Sequence, residues 1–519
     1  MSTTQTFRYG EDHLTASIAL SIARGSTKGL VSNDVRQKIR ASAANVKEIA
    51  EGDRAVYGIN TGFGPLCTTQ ISKKETGQLQ KNLLMSHAVG LGDPIPTEIA
   101  KLMMILKVHA LSRGFSGVQE PTIDRIIWHI ENDVIPVVPE QGSVGASGDL
   151  APLSHLFLPL IGLGQVMING VKEDAAEILN KHQLAPIALG AKEGLGLING
   201  TQFIAAYAIK VVDQLHNVMS HADISGALMI EGLLASVRPF AKELHELRPY
   251  PGNQHVAAHI RHLLADSEIV HSHANCARVQ DPYSLRCIPQ VHGASRNAWV
   301  HVKEMLEVEL NAVTDNPIVF SAAHTISGGN FHGQPMALPL DYACLAAAEI
   351  GNVSDRRIYL SLEGDTPGVP KLLLKETGTN SGFMIPQYTT AALVSENKGL
   401  CFPSSADSVP TSLGQEDHVS MGSIGGRKAL RVVENVEKII GVELFCAAQA
   451  VDFHRPLKSS PALELVHSHI RSKINFLEQD GLMNHLMETA IQMVRDKEII
   501  TSLQDKYPFE SENESFEQF

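Results

Sequence analysis

The segment 427–451, RKALRVVENVEKIIGVELFCAAQAV, contains no proline and would place apolar residues on nearly every side of a helix. Segments 199–237, 296–313 and 334–362 are similarly long, rich in Ala and Leu and almost free of proline. At about 1.5 Å per residue, a thirty-residue helix runs roughly 45 Å. Helices of that length with apolar sides must be covered by other helices or by other subunits. The sequence therefore predicts a mainly α fold, a large bundle of long helices.

Shorter elements precede these helices. Segment 97–114 has a helical pattern that Thr97 can begin and Gly114 can end, so we expect an amphipathic helix there. The best strand signal is segment 165–171, in which Asn169-Gly170 marks a tight turn and predicts one small β-hairpin.

Two parts of the chain differ in character. Mixed loops and shorter helices predict a loop-rich N-terminal part, residues 1–200, that carries the loop 142–155 described below. Residues 201–519 are expected to form a long-helix body with oligomer interfaces.

The charge of the chain restricts its partners. It has 43 Lys and Arg against 56 Asp and Glu, a formal net charge of −13, and no basic block that would neutralise phosphates. We therefore expect no nucleic-acid partner and no membrane-surface partner. Charged residues make up 19%, below the roughly 25% usual for soluble chains, which indicates surface buried in an obligate oligomer.

Cysteine usage and hydropathy indicate a compartment. The six cysteines are scattered, contain no Cys-x-x-Cys and follow no secretory leader. No apolar run reaches the ~20 residues that a bilayer requires. We interpret the cysteines as reduced thiols and expect a cytoplasmic protein.

The stretch 142–155, GSVGASGDLAPLSH, contains three neighbours that could react with one another. If the amide nitrogen of Gly148 meets the carbonyl carbon of Ala146, a five-membered ring closes. Loss of water from that ring and from Ser147 leaves a methylidene-imidazolone, an electrophile that no unmodified side chain supplies. The alternative is an ordinary Gly/Ser loop that leads into a helix, with Ser147 or Asp149 as the cap. On the tripeptide alone, the ordinary loop is favoured.

Further segments of the chain bear on this choice. They are YGINTGFG (57–64), NLLMSH (82–87), QDPYSLRC (280–287) and QEDHVSMG (415–422). Together with the loop and with segments 198–202 and 328–332, they resemble the aromatic amino acid ammonia-lyase family over roughly residues 50 to 450. The resemblance favours the self-made electrophile over the ordinary loop.

The resemblance implies a mostly helical fold of the ammonia-lyase and fumarase type. It implies a 4-methylidene-imidazol-5-one cofactor formed from Ala146, Ser147 and Gly148, with no added cofactor. It also implies a homotetramer whose active sites draw on several subunits. The histidine-specific branch of the family is most similar, which implies conversion of L-histidine to trans-urocanate and ammonia.

Catalytic roles follow from the resemblance. Tyr57 is the candidate base for the β-proton; the alternative is a buried tyrosine with a satisfied hydroxyl. The family likeness assigns Asn199 and Tyr283 to hydrogen bonds around the electrophile and the substrate carboxylate. Arg286 suits that carboxylate because its planar fork donates two parallel hydrogen bonds.

The remaining candidates bind the substrate. Gln280 is a weaker companion of Arg286, and Phe331 would wall the cavity. His87 and Glu416 would select the substrate, because a polar pair satisfies an imidazole ring, which has one donor and one acceptor when neutral. The alternatives are a core histidine for His87 and a first-turn carboxylate for Glu416.

Other functions stay open at this point. The histidines, 23 in number, offer no complete ligand set at a familiar spacing, so we expect no metal site. A tyrosine or phenylalanine ammonia-lyase or an aminomutase is the second choice within the enzyme class. A non-catalytic helical assembly protein, whose loop never cyclises, is the choice from another class.

Overall fold

The computed structural model describes residues 5–62, 64, 71, 75–274 and 279–516. Within these residues lie twenty α-helices and nine short strands. The helices are α1 Ala16–Ala23, α2 Asn33–Glu51, α3 Thr76–His87, α4 Thr97–Ser112, α5 Glu120–Glu131, α6 Leu150–Phe157, α7 Ala175–Lys181, α8 Glu193–Ile198, α9 Gln202–Gly232, α10 Lys242–Glu246, α11 Pro251–Leu263, α12 Glu268–Ser272, α13 Tyr283–Arg286, α14 Ile288–Leu310, α15 Gln334–Ser361, α16 Met384–Leu400, α17 Gly422–Asp452, α18 Pro461–Lys473, α19 Met483–Arg495 and α20 Glu498–Lys506.

The four long helices confirm the predicted mainly α fold. Helices α9 and α17 each span 31 residues, α15 spans 28 and α14 spans 23. Helices α14 and α17 begin earlier than the sequence predicted, at Ile288 and Gly422. Their Ala-rich faces are buried, as expected for helices that are apolar on most sides.

The strands are β1 Gln5–Arg8, β2 Thr27–Leu30, β3 Leu91–Pro94, β4 Ile135–Pro136, β5 Pro139–Gln141, β6 Gln165–Ile168, β7 Val171–Asp174, β8 Ile318–Val319 and β9 Thr325–Ile326. The predicted hairpin is β6–β7, and its turn residues Asn169 and Gly170 have φ of 49° and 81°. Strand β4 adds to it antiparallel, and β1–β2, β3–β5 and β8–β9 form three further pairs. These pairs were not predicted, because strands of two to four residues are too short to show an alternating pattern.

Helix α4 differs from the expected amphipathic helix. Every residue from Ile99 to Ser112 is buried, including Lys101, Lys107 and His109. The apolar stripe predicted one covered side, whereas neighbouring elements cover all sides. Thr97 is the first helical residue rather than the cap, and Gly114, with φ of 80°, follows the last turn as predicted.

The chain divides into two compact units. The first unit comprises Met1–Lys210, Glu304–Asp341 and Pro403–Arg427, and the second comprises Val211–Lys303, Tyr342–Phe402 and Lys428–Phe519. The boundary that the sequence predicts at residue 200 places segments 304–341 and 403–427 in the second part, whereas their contacts group them with the first unit. Tertiary contacts that join distant segments are not visible in local composition.

The second unit buries a network of charges. Asp223 accepts hydrogen bonds from Nη2 of Arg296 at 2.6 Å and from Nδ1 of His292 at 2.7 Å. Burial acts to raise the pKa of Asp223, but the charge of Arg296 and the hydrogen bonds from His259 and His292 hold it well below its ordinary value. The guanidinium of Arg357 pairs with Glu443 in the same interior.

Two further observations concern the described residues. None of their helices combines the length and the apolar character that a membrane span requires. Of their cysteines, Cys287 and Cys446 are free thiols. Cys67 and Cys276, which were also interpreted as reduced thiols, lie outside the described residues.

Candidate active site

The first unit contains a cavity of about 860 Å³. Its lining brings together six of the predicted site residues, although they are far apart in the sequence. These six are Tyr57, His87, Ser147, Asn199, Phe331 and Glu416. The cavity wall therefore combines a phenol, an imidazole, an amide and a carboxylate with Ser147.

The loop that carries Ser147 is compressed at two glycines. Gly145 and Gly148 have φ of 67° and 72°, a conformation that L side chains rarely adopt. A Cβ atom added at Gly148 would lie 2.1 Å from the carbonyl oxygen of Gly200, and one added at Gly145 would lie 2.2 Å from Oγ of Ser420. Only glycine fits at either position.

Ser147 is held by hydrogen bonds at both its side chain and its backbone. Its Oγ donates to Oε1 of Glu416 at 2.7 Å. Its carbonyl oxygen accepts from Nδ2 of Asn199 at 2.8 Å and from the amide of Gly200 at 3.5 Å. The other oxygen of Glu416, Oε2, accepts hydrogen bonds from two nearby hydroxyls. They are Thr411 Oγ1 at 3.0 Å and Ser412 Oγ at 2.8 Å. Hydrogen bonds thus fix both the side chain and the backbone of Ser147.

Asp149 ends the loop and begins α6, but its side chain caps a different helix. Its Oδ2 accepts from the amides of Phe203 and Ile204, both at 3.1 Å, in the first turn of α9. No side-chain hydrogen bond caps α6. The ordinary-loop alternative expected Ser147 or Asp149 to cap the helix that follows the loop, whereas Asp149 caps α9. Burial raises the pKa of Asp149 to about 7, against the effect of the two amides.

Helix α8 lies behind Asn199 and is clamped by buried lysines. Lys107 Nζ donates to the carbonyl oxygen of Asn199 at 2.8 Å and to that of Gly196 at 3.3 Å. At the other end, Lys192 pairs with Asp315 at 2.6 Å, and both side chains are buried. Burial lowers the pKa of Lys107 to about 7, whereas the charge of Asp315 acts in the opposite direction.

Tyr57 occupies a turn that rests on α8. The amide of Gly64 donates to its phenol oxygen at 3.3 Å. Gly58, with φ of 69°, lies so close to Leu195 that an added Cβ would be 2.3 Å from Cδ2 of that residue. Phe63 of the same motif lies outside the described residues.

His87 is the last residue of α3. Its Nδ1 lies 2.9 Å from the carbonyl oxygen of Leu83, so in the neutral ring Nδ1 carries the proton and Nε2 is an acceptor. Burial lowers the pKa of His87, while the bond to Leu83 and the charge of Glu416 act in the opposite direction. The site therefore favours a neutral imidazole with an acceptor nitrogen.

Gln280, Tyr283 and Arg286 are not among the residues that line this cavity. They belong to the second unit, where Arg286 Nη2 donates to Oε1 of Gln280 at 3.1 Å. The guanidinium lies 4.5 Å above the ring of Tyr283, which is 71% exposed. The predicted turn forms, but it presents its side chains to the surface of its own unit.

Sequence reasoning missed the residues that support the loop. Lys107 carried a usable signal, since it lies eight residues after Ile99 and four after Met103, and thus on the same apolar stripe. Gly200 and Ser420 lie within the motifs 198–202 and 415–422, but their contacts with the loop are tertiary and were not predictable from those motifs. Among the described residues, no group of three or more His, Cys, Asp or Glu side chains could hold a metal ion.

The chain is similar to known proteins over most of its length. A family model described as aromatic amino acid lyase matches residues 14–472. Histidine ammonia-lyase of Myxococcus xanthus is 43% identical over 485 residues, covering 93% of this chain and 96% of that protein. The crystal structure of histidine ammonia-lyase from Trypanosoma cruzi superimposes with a TM-score of 0.90 at 38% identity, covering 99% of this chain and 97% of that one. Tyrosine aminomutase from Streptomyces globisporus gives a TM-score of 0.92 at 32% identity, covering 98% and 100%.

Proposed function

Because this chain belongs to the aromatic amino acid lyase family, we propose that it is a histidine ammonia-lyase that converts L-histidine to trans-urocanate and ammonia. The observation that carries the proposal is the lining of one cavity by Ser147, His87 and Glu416. The loop chemistry accounts for the elimination, and the polar pair accounts for an imidazole substrate.

We assign the electrophile, a 4-methylidene-imidazol-5-one, to Ala146, Ser147 and Gly148. The fit is supported by the contact of Gly148 with Gly200, which leaves no room for a side chain, and by Ala146, which is buried against Val419 and Met421. Once formed, the group supplies an electron acceptor that eases the departure of the substrate amine. The amide of Asn199 donates to the carbonyl oxygen of Ser147 and polarises it toward that role.

Tyr57 is the base in this proposal. Removal of a weakly acidic β-proton requires a base within hydrogen-bond reach of the bound substrate, and the phenol oxygen lines the cavity. Asn199 Oδ1 is a buried acceptor for which the described residues provide no donor. It is therefore available to the ammonium group of the amino acid.

Substrate choice rests on His87 and Glu416. The Nε2 acceptor of His87 accepts the imidazole N–H of histidine, and Glu416 accepts a second donor when the substrate ring is protonated. Phe331 forms an apolar wall of the same cavity. A phenyl ring would leave both polar groups unsatisfied, at a cost of about 1–3 kcal/mol each.

A second copy of the chain completes the site in this proposal, as part of a homotetramer with shared active sites. The support is that Arg286, Tyr283 and Gln280, which would bind the carboxylate, do not line this cavity. Helix α15 carries exposed apolar residues on one face. They are Leu338, Tyr342 and Leu345, which are 58%, 46% and 54% exposed. Light scattering tests the assembly, and a fully active monomer would contradict shared sites.

Steady-state rates on histidine, tyrosine and phenylalanine test the substrate. Turnover of tyrosine with histidine ignored would instead support the alternative of a tyrosine or phenylalanine ammonia-lyase or an aminomutase. A wild-type chain of full, undiminished mass would support a non-catalytic helical assembly protein. The free thiols of Cys287 and Cys446 support a cytoplasmic location.

A further inference from the structure

Lys107 places an ammonium group beneath the turn that follows α8. Its side chain is 1% exposed and its Nζ donates to two backbone carbonyl oxygens, those of Gly196 and Asn199. Removing an ammonium from water is costly unless its donors are used. The burial of Lys107 in helix α4 therefore needs a physical reason.

The end of α8 supplies that reason. In a continued helix, the carbonyl oxygen of Gly196 would accept the amide of Gly200, four residues later. Instead, the amide of Gly200 points to the carbonyl oxygen of Ser147 at 3.5 Å. Lys107 Nζ takes the vacated position at Gly196 and also binds the carbonyl oxygen of Asn199. A cation is favourable there because the carbonyl end of a helix is the negative end of its dipole.

Two donors of this turn converge on one atom. Nδ2 of Asn199 and the amide of Gly200 both point to the carbonyl oxygen of Ser147. This carbonyl is bonded to the Cα of Ser147. Negative charge builds on its oxygen whenever that Cα loses its proton, so paired donors there stabilise the transition state.

We propose that Lys107 is a positioning residue for self-formation of the electrophile, acting through the Asn199–Gly200 turn; the inference rests on the proposed function. Ring closure bonds Gly148 N to the carbonyl carbon of Ala146, and that oxygen leaves as water with the amide protons of Ser147 and Gly148. Ser147 then releases its Oγ hydroxyl with its Cα proton as a second water. Lys107 supports this second step, because the step places charge on the oxygen that the turn binds.

Intact mass spectrometry of Lys107→Met tests the proposal. Methionine has nearly the same length and no donor, so Gly196 can recapture the amide of Gly200 and draw the turn away from Ser147. We expect the loss of the second water to slow on the order of tenfold to a hundredfold, the effect of a lost charge-assisted hydrogen bond. Chains that lack one water should accumulate in freshly folded protein.

Lys101→Met is the matched control. Lys101 lies on the same helix and is also buried, but its Nζ pairs with Asp133, away from the loop. We expect this variant to lose both waters at the wild-type rate. Equal rates in Lys107→Met and wild type would overturn the proposal, and so would equal slowing in both variants.

Lys107→Gln keeps the test decisive if the methionine variant does not fold. Its amide retains a donor without charge, so maturation should fall between those of wild type and Lys107→Met. Maturation of Lys107→Gln at the wild-type rate would overturn the role of the ammonium. A wild-type chain that keeps its full mass would instead refute the proposed function itself, so the two failures are distinguishable.

Discussion

Oε1 of Glu416 lies 2.7 Å from Oγ of Ser147 and accepts its hydrogen bond. In the proposed cofactor that hydroxyl has left as water, so Oε1 loses its donor. The other oxygen remains bound to Thr411 and Ser412. A partly buried carboxylate without a donor is unfavourable. Maturation would therefore create an acceptor in the cavity wall, suited to the second N–H of a protonated imidazole and not to a phenyl ring.

Ser147→Ala should abolish the electrophile while preserving the fold. Alanine has no hydroxyl to lose, so the chain should retain at least one of the two waters that wild type releases. We expect activity to fall about a thousandfold or more, as when an essential catalytic group is removed. Intact mass and turnover of histidine measure both effects. Ser154→Ala, a buried serine on α6, is the control, and a fully active Ser147→Ala would refute the assignment.

Tyr57→Phe should separate proton removal from maturation. The variant lacks the phenol oxygen that accepts from Gly64, so kcat should fall about 10²- to 10⁴-fold, the range for a lost general base. The mass deficit of two waters should persist, because Tyr57 has no part in ring closure. Steady-state assays measure kcat, and mass spectrometry of the same sample measures the mass deficit. An unchanged kcat would mean that another group is the base.

His87→Phe should reduce histidine use more than use of phenylalanine. The variant replaces an acceptor nitrogen with an apolar ring, so the ratio of kcat/KM for histidine over phenylalanine should fall about tenfold to a hundredfold. Met85→Leu, an exposed change on the same helix, is the control. If the ratio does not change, His87 is only a core histidine.

Acid should destabilise the fold through buried neutral histidines such as His221. Burial lowers the pKa of His221 to about 4, and its Nδ1 is bonded to the carbonyl oxygen of Asn217. Below the unfolded value of about 6.5 the unfolded chain binds a proton that the folded chain excludes, so stability falls as pH decreases toward 4. One such group contributes about 1.4 kcal/mol per pH unit in that window.

The measurement is denaturant unfolding of wild type and His221→Leu between pH 4 and pH 7, with the exposed His485→Leu as control. The stability of His221→Leu should depend on pH less steeply than that of wild type, by the equivalent of one proton. Parallel curves would show that His221 takes up its proton at the same pH in the folded and the unfolded chain.

How much of the fold could be predicted from the sequence depends on how local each signal is. The long helices were visible because composition and the absence of proline act along one segment, as in α15, predicted over 334–362 and observed as Gln334–Ser361. The turn at Asn169-Gly170 was visible for the same reason. The complete burial of α4 could not be predicted, because the elements that cover its polar side are distant in the sequence.

The candidate site shows the same limit. Motif resemblance identified Tyr57, His87 and Glu416, and the cavity brings them together. It could not show that Glu416 binds Ser147, or that Asp149 caps α9, since these pairs are separated by many residues. The assignment of Gln280, Tyr283 and Arg286 to the site stays a prediction, because it requires another copy of the chain.

Asp149 ties the end of the reactive loop to the first turn of a 31-residue helix. An unfolded chain has no such helix and cannot press Gly148 against Gly200. Under the proposed chemistry, a nascent or misfolded polypeptide is therefore inert toward cellular thiols and amines. The electrophile would exist only on chains that have already folded.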